Sequence, residues 1–517
     1  MAANPYSAAS VGRSLAAFVQ SRLVTGGLSI AVALVIVRYM PVAEYAVYAT
    51  LAAVCVFVME LSTFGIPHVT NRYVPEGRLQ ADPADFRRFL WRLVGLRMAL
   101  ALAVLAPLAL LTAPIAELLR ASHAPVALWV NWLLILVVVF TDHVAHTLEA
   151  VMAQPDVRRG LYVEWVLRFF VTIGIIVATS TITAAQALLV QVGASLLAGL
   201  LMLGHLAARL RALSAPAPGD RPHARWPAQP RELVRFGWHS YAYTLLLLPG
   251  ENFSVRMIAA HYLPAVRMAS YGFFQALASA GRRYLPVHLL ITTVEPLLIA
   301  HYTESRSIER LNHMANSVLK LNLMVLAPVI AWTAVAGAGF VGLLTGGKYM
   351  EYAWILPLVL LEPVLEANWY LLRTAAGAVG LPGILVRGAA VNLVPLAGML
   401  VLLVAGLGDP LVVVLVGMLA MLTTRNAWAT WRLRGRGVDY RVDWVGMGKI
   451  AVAAAAAAAL GYLAVRFVTP PGTAIFSFAV GAICVPVYLG LMLLLRPFAA
   501  PERALVNKLT GRFRLPF

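Results

Sequence analysis

The chain has 517 residues, 61% of them hydrophobic and only 12% charged, and its mean hydropathy is +0.79. That balance excludes a soluble enzyme or a disulfide-stapled secreted domain; the two cysteines, Cys55 and Cys484, both lie inside apolar blocks. Lys and Arg outnumber Asp and Glu by 41 to 23, for a net charge of +18. On a soluble chain this would point to nucleic acid. Here the basic residues collect between apolar blocks, as the positive-inside rule requires of a membrane protein, so no nucleic-acid partner is expected.

The apolar residues form roughly fourteen blocks of about 18 to 25 residues, each long enough to cross the hydrocarbon core. None alternates with the period of a barrel strand. The expected fold class is therefore all-α: a polytopic membrane protein with about 14 transmembrane helices, arranged as two six-helix lobes plus two C-terminal helices. In chain order the first lobe (1–208) holds spans at 14–37, 43–65, 89–112, 126–150, 161–180 and 184–208. The first block is long and lacks a small-residue cleavage site, so it reads as a retained helix and not as a signal peptide. A polar, proline-rich linker (209–235, with APAPGDRPHARWPAQPR) follows. The second lobe (236–432) holds spans at 236–261, 267–299, 313–343, 351–373, 381–405 and 409–430; the last region (433–517) holds 447–467, 474–495 and a basic tail.

Placing the N-terminus in the cytoplasm gathers Arg72, Arg78, Arg87, Arg88, Arg158, Arg159, Arg432, Arg434, Arg436 and Arg441 in inner loops. Isolated cations such as Arg38, Arg120, Arg267, Lys348 and Arg466 remain outside. The bias holds its phase to the end, so both termini are expected in the cytoplasm. Every loop is too short for a catalytic domain. The protein is expected not to be an enzyme, and its helices are expected to do its work without a cofactor.

One internal repeat appears. Tyr39, Pro41 and Tyr48 between the first two spans recur as Tyr262, Pro264 and Tyr271 between the seventh and eighth, at one offset of 223 residues. Parallel repeats with a site between halves are a transporter architecture, although Tyr and Pro also favour helix ends at the interface.

Ionisable groups inside spans are costly and normally face a wet cavity or a partner. Arg97, Glu164, Arg168, Arg387 and Arg425 fall within about two turns of the inner surface, where snorkelling to the headgroups accounts for most of them. Arg282 and Arg283 fall midway along the span 267–299, beyond easy snorkelling. Two accounts stand: an ion pair with Glu251 or Glu362, or a cationic site for an anionic substrate, for which the planar guanidinium is suited. Glu60, Glu251 and Glu362 are the candidates for binding a coupling ion. On the fourth span, within the run Asp142 to Glu149, His143, His146 and Glu149 recur every three residues and lie near one another on one side; they read as interfacial residues, a protonatable mouth or a metal site. Two nucleotide-loop lookalikes, Gly337 to Gly342 and Gly342 to Lys348, lie in and just beyond a spanning helix. The first lacks a preceding strand, and Tyr349 follows the lysine of the second, so neither is a nucleotide site.

The segments VIVRYMPVAEYAVYATLAAV and ELSTFGIPHVTNRYVPE, with ASYGFFQALASAGRRYLPVHLLITTVEPLLIAHYTE and LLTGGKYMEYAWILPLVLLEPV in the second half, resemble polysaccharide flippases of the O-antigen type. These belong to the multidrug/oligosaccharidyl-lipid/polysaccharide (MOP) exporter superfamily. The resemblance covers essentially the whole chain. It implies two six-helix lobes around a central cavity and movement of undecaprenyl-diphosphate-linked oligosaccharide across the bacterial cytoplasmic (inner) membrane, coupled to protons or sodium. It also implies a polysaccharide polymerase or chain-length regulator as partner. Relatives line the cavity with arginines, and Arg22, Arg256, Arg282 and Arg283 match in helix and general depth, making them the candidate substrate-binding residues. A multidrug exporter of the same superfamily, a lipid II flippase and a membrane glycan polymerase are the alternatives.

Overall fold

A computed structural model describes residues 8–212, 230–288, 307–381 and 383–510, with the side chains of 8–23, 79–80, 505–506 and 508–510 excluded. The described residues form helices and no strand. In order these are α1 (Ala8–Tyr39), α2 (Val42–Leu61), α3 (Ile66–Gln80), α4 (Pro83–Leu110), α5 (Thr112–Leu118), α6 (Pro125–Ala150), α7 (Gln154–Thr179), α8 (Ala184–Arg211), α9 (Pro230–Leu247), α10 (Asn252–Tyr262) and α11 (Ala265–Arg282). There follow α12 (Ile308–Thr345), α13 (Ile355–Val359), α14 (Glu362–Ala378), α15 (Gly383–Val391), α16 (Leu393–Val404), α17 (Pro410–Arg434), α18 (Trp444–Val465), α19 (Ala474–Leu495) and α20 (Ala500–Thr510).

Among the described residues, eleven helical stretches are long and apolar enough to cross a membrane, counting α13 with α14 and α15 with α16. The protein is a polytopic all-α membrane protein. Three of the fourteen expected spans differ from that count for separate reasons. Only Val24–Tyr39 of α1 is scored as an apolar stretch. The span expected at 236–261 is broken by a 3₁₀ turn at Leu248–Gly250, where Pro249 cannot donate a backbone hydrogen bond. The span expected at 267–299 has its α-helix end at Arg282, followed by tight turns from Tyr284 N–H to Gly281 and from Leu285 N–H to Arg282; residues 289–306 lie outside the described residues. Arg282 is thus at a helix end, not midway along a helix.

The helix boundaries carry the repeat further than the sequence did. The α1 end at Tyr39 and the α2 start at Val42 are matched, at the same offset of 223 residues, by the α10 end at Tyr262 and the α11 start at Ala265. The equivalent Met40 and Leu263 are both buried, as are Tyr45 and Met268.

Backbone contacts divide the chain into two units, Met1–Ala269 and Ser270–Phe517. In the first, α6 packs along α8, α1 along α7, and α10 against α2. Thus α9 and α10, expected in a second lobe starting at 236, group with the first unit. The junction after α2 explains why. Gly65 has φ +74°, and a β-carbon there would meet the Gly237 carbonyl at 2.0 Å, so α9 approaches this turn backbone to backbone. Tyr241 on α9 stacks on Phe64 and donates to the Leu61 carbonyl at 2.6 Å. The segment after Gly65, expected as an inner loop, is the helix α3, started by Pro67 in its first turn.

In the second unit α12 runs against α18 and α19, and α17 against α14, α15 and α16. A charged group fastens the C-terminal segment. Lys320 on α12, fully buried, donates to Asp443 at 2.6 Å, Glu502 at 2.6 Å and the Pro497 carbonyl at 2.9 Å. Gly446 leaves the room, since a β-carbon there would sit 2.5 Å from the lysine Cε. Partial burial pushes the Asp443 carboxyl up, but the Gly446 N–H and the Lys320 ammonium hold it below the usual range. Lys320→Met should therefore cost about 3–5 kcal/mol, because it strands two carboxylates. Adding Asp443→Asn and Glu502→Gln should restore part of the loss, as read by thermal unfolding of the detergent-solubilised protein. No recovery in the triple variant would show that the charges are not what fastens the segment.

Candidate functional site

Besides the Lys320 group, two groups of charged side chains among the described residues bear on function, one in each unit. The first surrounds the C-terminal end of α2. A helix end away from water needs partners for its last carbonyls. Here Arg97 of α4 provides them: it donates to the Ser62 carbonyl, to Ser62 Oγ at 3.2 Å and to the Met59 carbonyl at 3.2 Å. Its cation also opposes the negative end of the helix dipole. Beside it opens a cavity of about 160 Å³, lined by Glu60, Arg97 and Thr244 with His68, Asp142 and His146. With neutral imidazoles the group holds two carboxylates against one guanidinium. Burial and the neighbouring His146 push the His68 ring on α3 below its ordinary value of 6.5.

The α6 polar run lies at this cavity. Asp142, His143 and His146 line the cavity, while Glu149 lies 3.9 Å from His146. Among the described residues no group of three or more His, Cys, Asp or Glu side chains is placed to hold a metal ion. Glu60 was legible as an intramembrane charge, whereas Arg97, His68 and Asp142 were not legible as its companions.

The second group forms where α11 ends. Arg282 donates to Glu366, and Glu362 lies 3.9 Å away. The two carboxylates are four residues apart on α14, on one face, and both are buried. The next turn of that face holds Tyr370, which packs edge to face on His288 with ring centroids 5.1 Å apart. Of the two sequence readings of Arg282, the geometry matches the ion pair with Glu362 and extends it to Glu366. Arg283, one residue on, is exposed, and it too has a partner.

The remaining candidates do not join either group. Arg22 is on α1, in the stretch whose side chains lie outside the described residues. Glu251 is the N-cap of α10, at the break after α9, and Arg256 lies one turn further on; both are engaged by neighbours. The snorkelling expectation fails for three arginines. Arg97, Arg168 and Arg425 are 2%, 8% and 4% exposed. Arg168 stacks on Trp165 at 4.3 Å and bonds Gln191 at 3.1 Å; Arg425 stacks on Trp369 at 4.4 Å. Ring faces and side-chain acceptors within the helix layers replace the headgroups for these two.

His68 gives the first group a pH signature. Because its folded-state pKa lies below 6.5, the stability tied to its neutral ring is complete above that value and declines as pH falls through it. His68→Gln should flatten the acid decline of the thermal midpoint, measured in detergent from neutral to mildly acidic pH. His68→Arg, which forces a permanent cation beside His146, should lower the midpoint at neutral pH as well. An unchanged acid slope in His68→Gln would remove His68 from this account.

The fold is similar to two solved structures. A lipid II flippase, MurJ in an inward closed conformation, superposes with a TM-score of 0.61 at 9% identity, over 93% of this chain and 98% of that one. The inward-facing form of a multidrug resistance MATE family transporter of the MOP superfamily superposes with a TM-score of 0.53 at 13% identity, over 80% of this chain and 94% of that one. At such identities the likeness is one of fold. No curated protein matches the sequence. Residues 11–294, more than half of the chain, match the family described as polysaccharide biosynthesis protein, and the chain belongs to that family.

Proposed function

We propose that the protein flips a polyprenyl-diphosphate-linked oligosaccharide from the cytoplasmic to the outer leaflet of the bacterial cytoplasmic membrane, by alternating access, to supply surface polysaccharide synthesis. Both termini are then cytoplasmic, and the chemistry of assembly belongs to other proteins. Family membership supports a role in polysaccharide synthesis, and the transporter fold supports movement without bond-making.

The observation that carries the narrower reading is the Arg282–Glu366–Glu362 group. A diphosphate does not enter hydrocarbon without a substitute for its hydration. A guanidinium offers paired donors that a phosphate accepts in the same geometry as a carboxylate. Glu366 therefore occupies the place that a substrate phosphate would take. Protonation of the glutamates, or their movement with α14, releases Arg282 toward phosphate, which ties substrate binding to an ion. Arg22, Arg256 and Arg283 remain the other proposed substrate-binding residues, and Glu60, in its cavity with Asp142 and Arg97, is proposed to exchange protons elsewhere in the cycle.

Each charged group holds two carboxylates for one guanidinium. That excess favours a second reading, export of organic cations. The two readings separate in a strain whose surface polysaccharide depends on this protein. Arg282→Ala with Arg283→Ala should lower surface polymer by at least about tenfold, the loss expected for a charge-assisted bond to phosphate, with lipid-linked oligosaccharide accumulating and the protein still in the membrane. Glu366→Gln should retain output but change its pH dependence. Normal polymer in the double variant, with drug sensitivity on deletion of the protein, would overturn the flippase reading in favour of the exporter.

A further inference from the structure

A third charged site stands in the second unit and belongs to neither group above. Arg387 on α15, and Arg432 and Arg436 at and just beyond the end of α17, line one cavity of about 180 Å³ together with Trp428. Among the described residues no Asp or Glu lines it. Arg387 and Arg436 have no carboxylate partner among the described residues, and Arg432 has only the ring faces of Trp428 at 5.6 Å and Trp431 at 4.6 Å. Gly380 and Gly383 keep the floor open. Three like charges around one small space repel one another, and an anion between them removes the repulsion.

The site is built, not a chance meeting of flexible chains. The turn carrying Arg436 is tied back by the Arg436 and Val438 N–H groups, each bonded to the Leu433 carbonyl at 3.0 Å. Beyond it Tyr440, fully buried, donates to Asn368 at 3.2 Å. Asn312 and Asn316 of α12 clamp the following strand-like segment through the Asp439 and Arg441 carbonyls, at 2.7 and 2.8 Å. Asp439, beyond that turn, pairs with Arg441 at 2.6 Å.

Its position identifies the occupant. Arg387 is one turn inside an apolar span and exposed, next to the exposed Val386; Trp431 is 61% exposed. Exposed tryptophan with arginine at a span end marks the headgroup level, and by the positive-inside pattern this end faces the cytoplasmic leaflet. Basic pockets between helices at that level bind anionic lipid headgroups. We propose that Arg387, Arg432 and Arg436 form a binding site for the phosphate of an anionic phospholipid of the cytoplasmic leaflet, with Trp428 covering the glycerol side. The site does not depend on the flippase reading.

The test uses the full chain in detergent, relipidated with phosphatidylglycerol or phosphatidylcholine, with retained lipid counted by native mass spectrometry. Wild type should retain one phosphatidylglycerol in preference to phosphatidylcholine. Occupancy should fall about fivefold for each arginine removed, the effect of one basic residue at a membrane surface, so that R387Q/R432Q/R436Q loses it, while R88Q/R158Q/R159Q in the first unit keeps it. All three side chains are exposed, so R387Q and R436Q singly give the same reading if the triple variant does not accumulate. Equal retention of both lipids, or full retention by the variants, would overturn the proposal. So would displacement by millimolar inorganic phosphate, which would make it a free-phosphate site, or displacement by undecaprenyl phosphate but not by phosphatidylglycerol, which would make it a substrate dock.

Discussion

The bilayer supplies no water to a polar group at depth, and the architecture follows from meeting that demand with protein atoms. The clearest case is the C-terminal end of α2. Its last carbonyls are capped by a buried arginine from α4 and a tyrosine hydroxyl from α9. Two elements distant in sequence are thereby fixed to one helix end, and the turn that follows fits only because Gly65 lets the Gly237 backbone touch it. The same demand explains the Lys320 group, where two carboxylates and a carbonyl surround a fully buried ammonium.

Charge inside the helices therefore has two uses that look alike in one dimension. Some of it is structural: Arg97 caps a helix, and Arg168 and Arg425 rest on tryptophan faces. Some carries carboxylates in excess over guanidinium, and the exchange proposed above is assigned to it. The Glu60 and Arg282 groups are of this second kind, and both sit where a helix ends or breaks. Discontinuous helices are where membrane transporters place exchangeable polar groups, because the freed backbone and side chains can be satisfied in more than one way. The third arginine cavity differs from both, since it has no acid to balance it and opens at the headgroup level.

Nearly all the spans were legible from hydropathy, and the described helix ends agree closely for α6, α8 and α19. What hydropathy missed were interruptions at Pro249–Gly250 and after Gly281, where apolar composition runs on through a break in the backbone. It also missed α3, whose mixed composition reads as loop. The grouping of α9 and α10 with the first unit was equally invisible, because it rests on two glycines and a tyrosine 176 residues apart at Gly65 and Tyr241. Among site residues, Arg282 and Glu362 were found as a possible pair because both are costly in lipid. Glu366, one turn beyond Glu362, was not read as the closer partner, and Lys320 was passed over although it interrupts an apolar run.

Composition and the spacing of apolar blocks were enough to define solvent, helix class and approximate spans, because the cost of exposing a backbone to hydrocarbon applies residue by residue along the chain. The pairing of charges was left to the packed helices. Whether an arginine snorkels, caps a carbonyl, stacks on a ring or shares two carboxylates depends on what lies within a few ångströms across a helix interface, and that distance is not a function of separation along the chain.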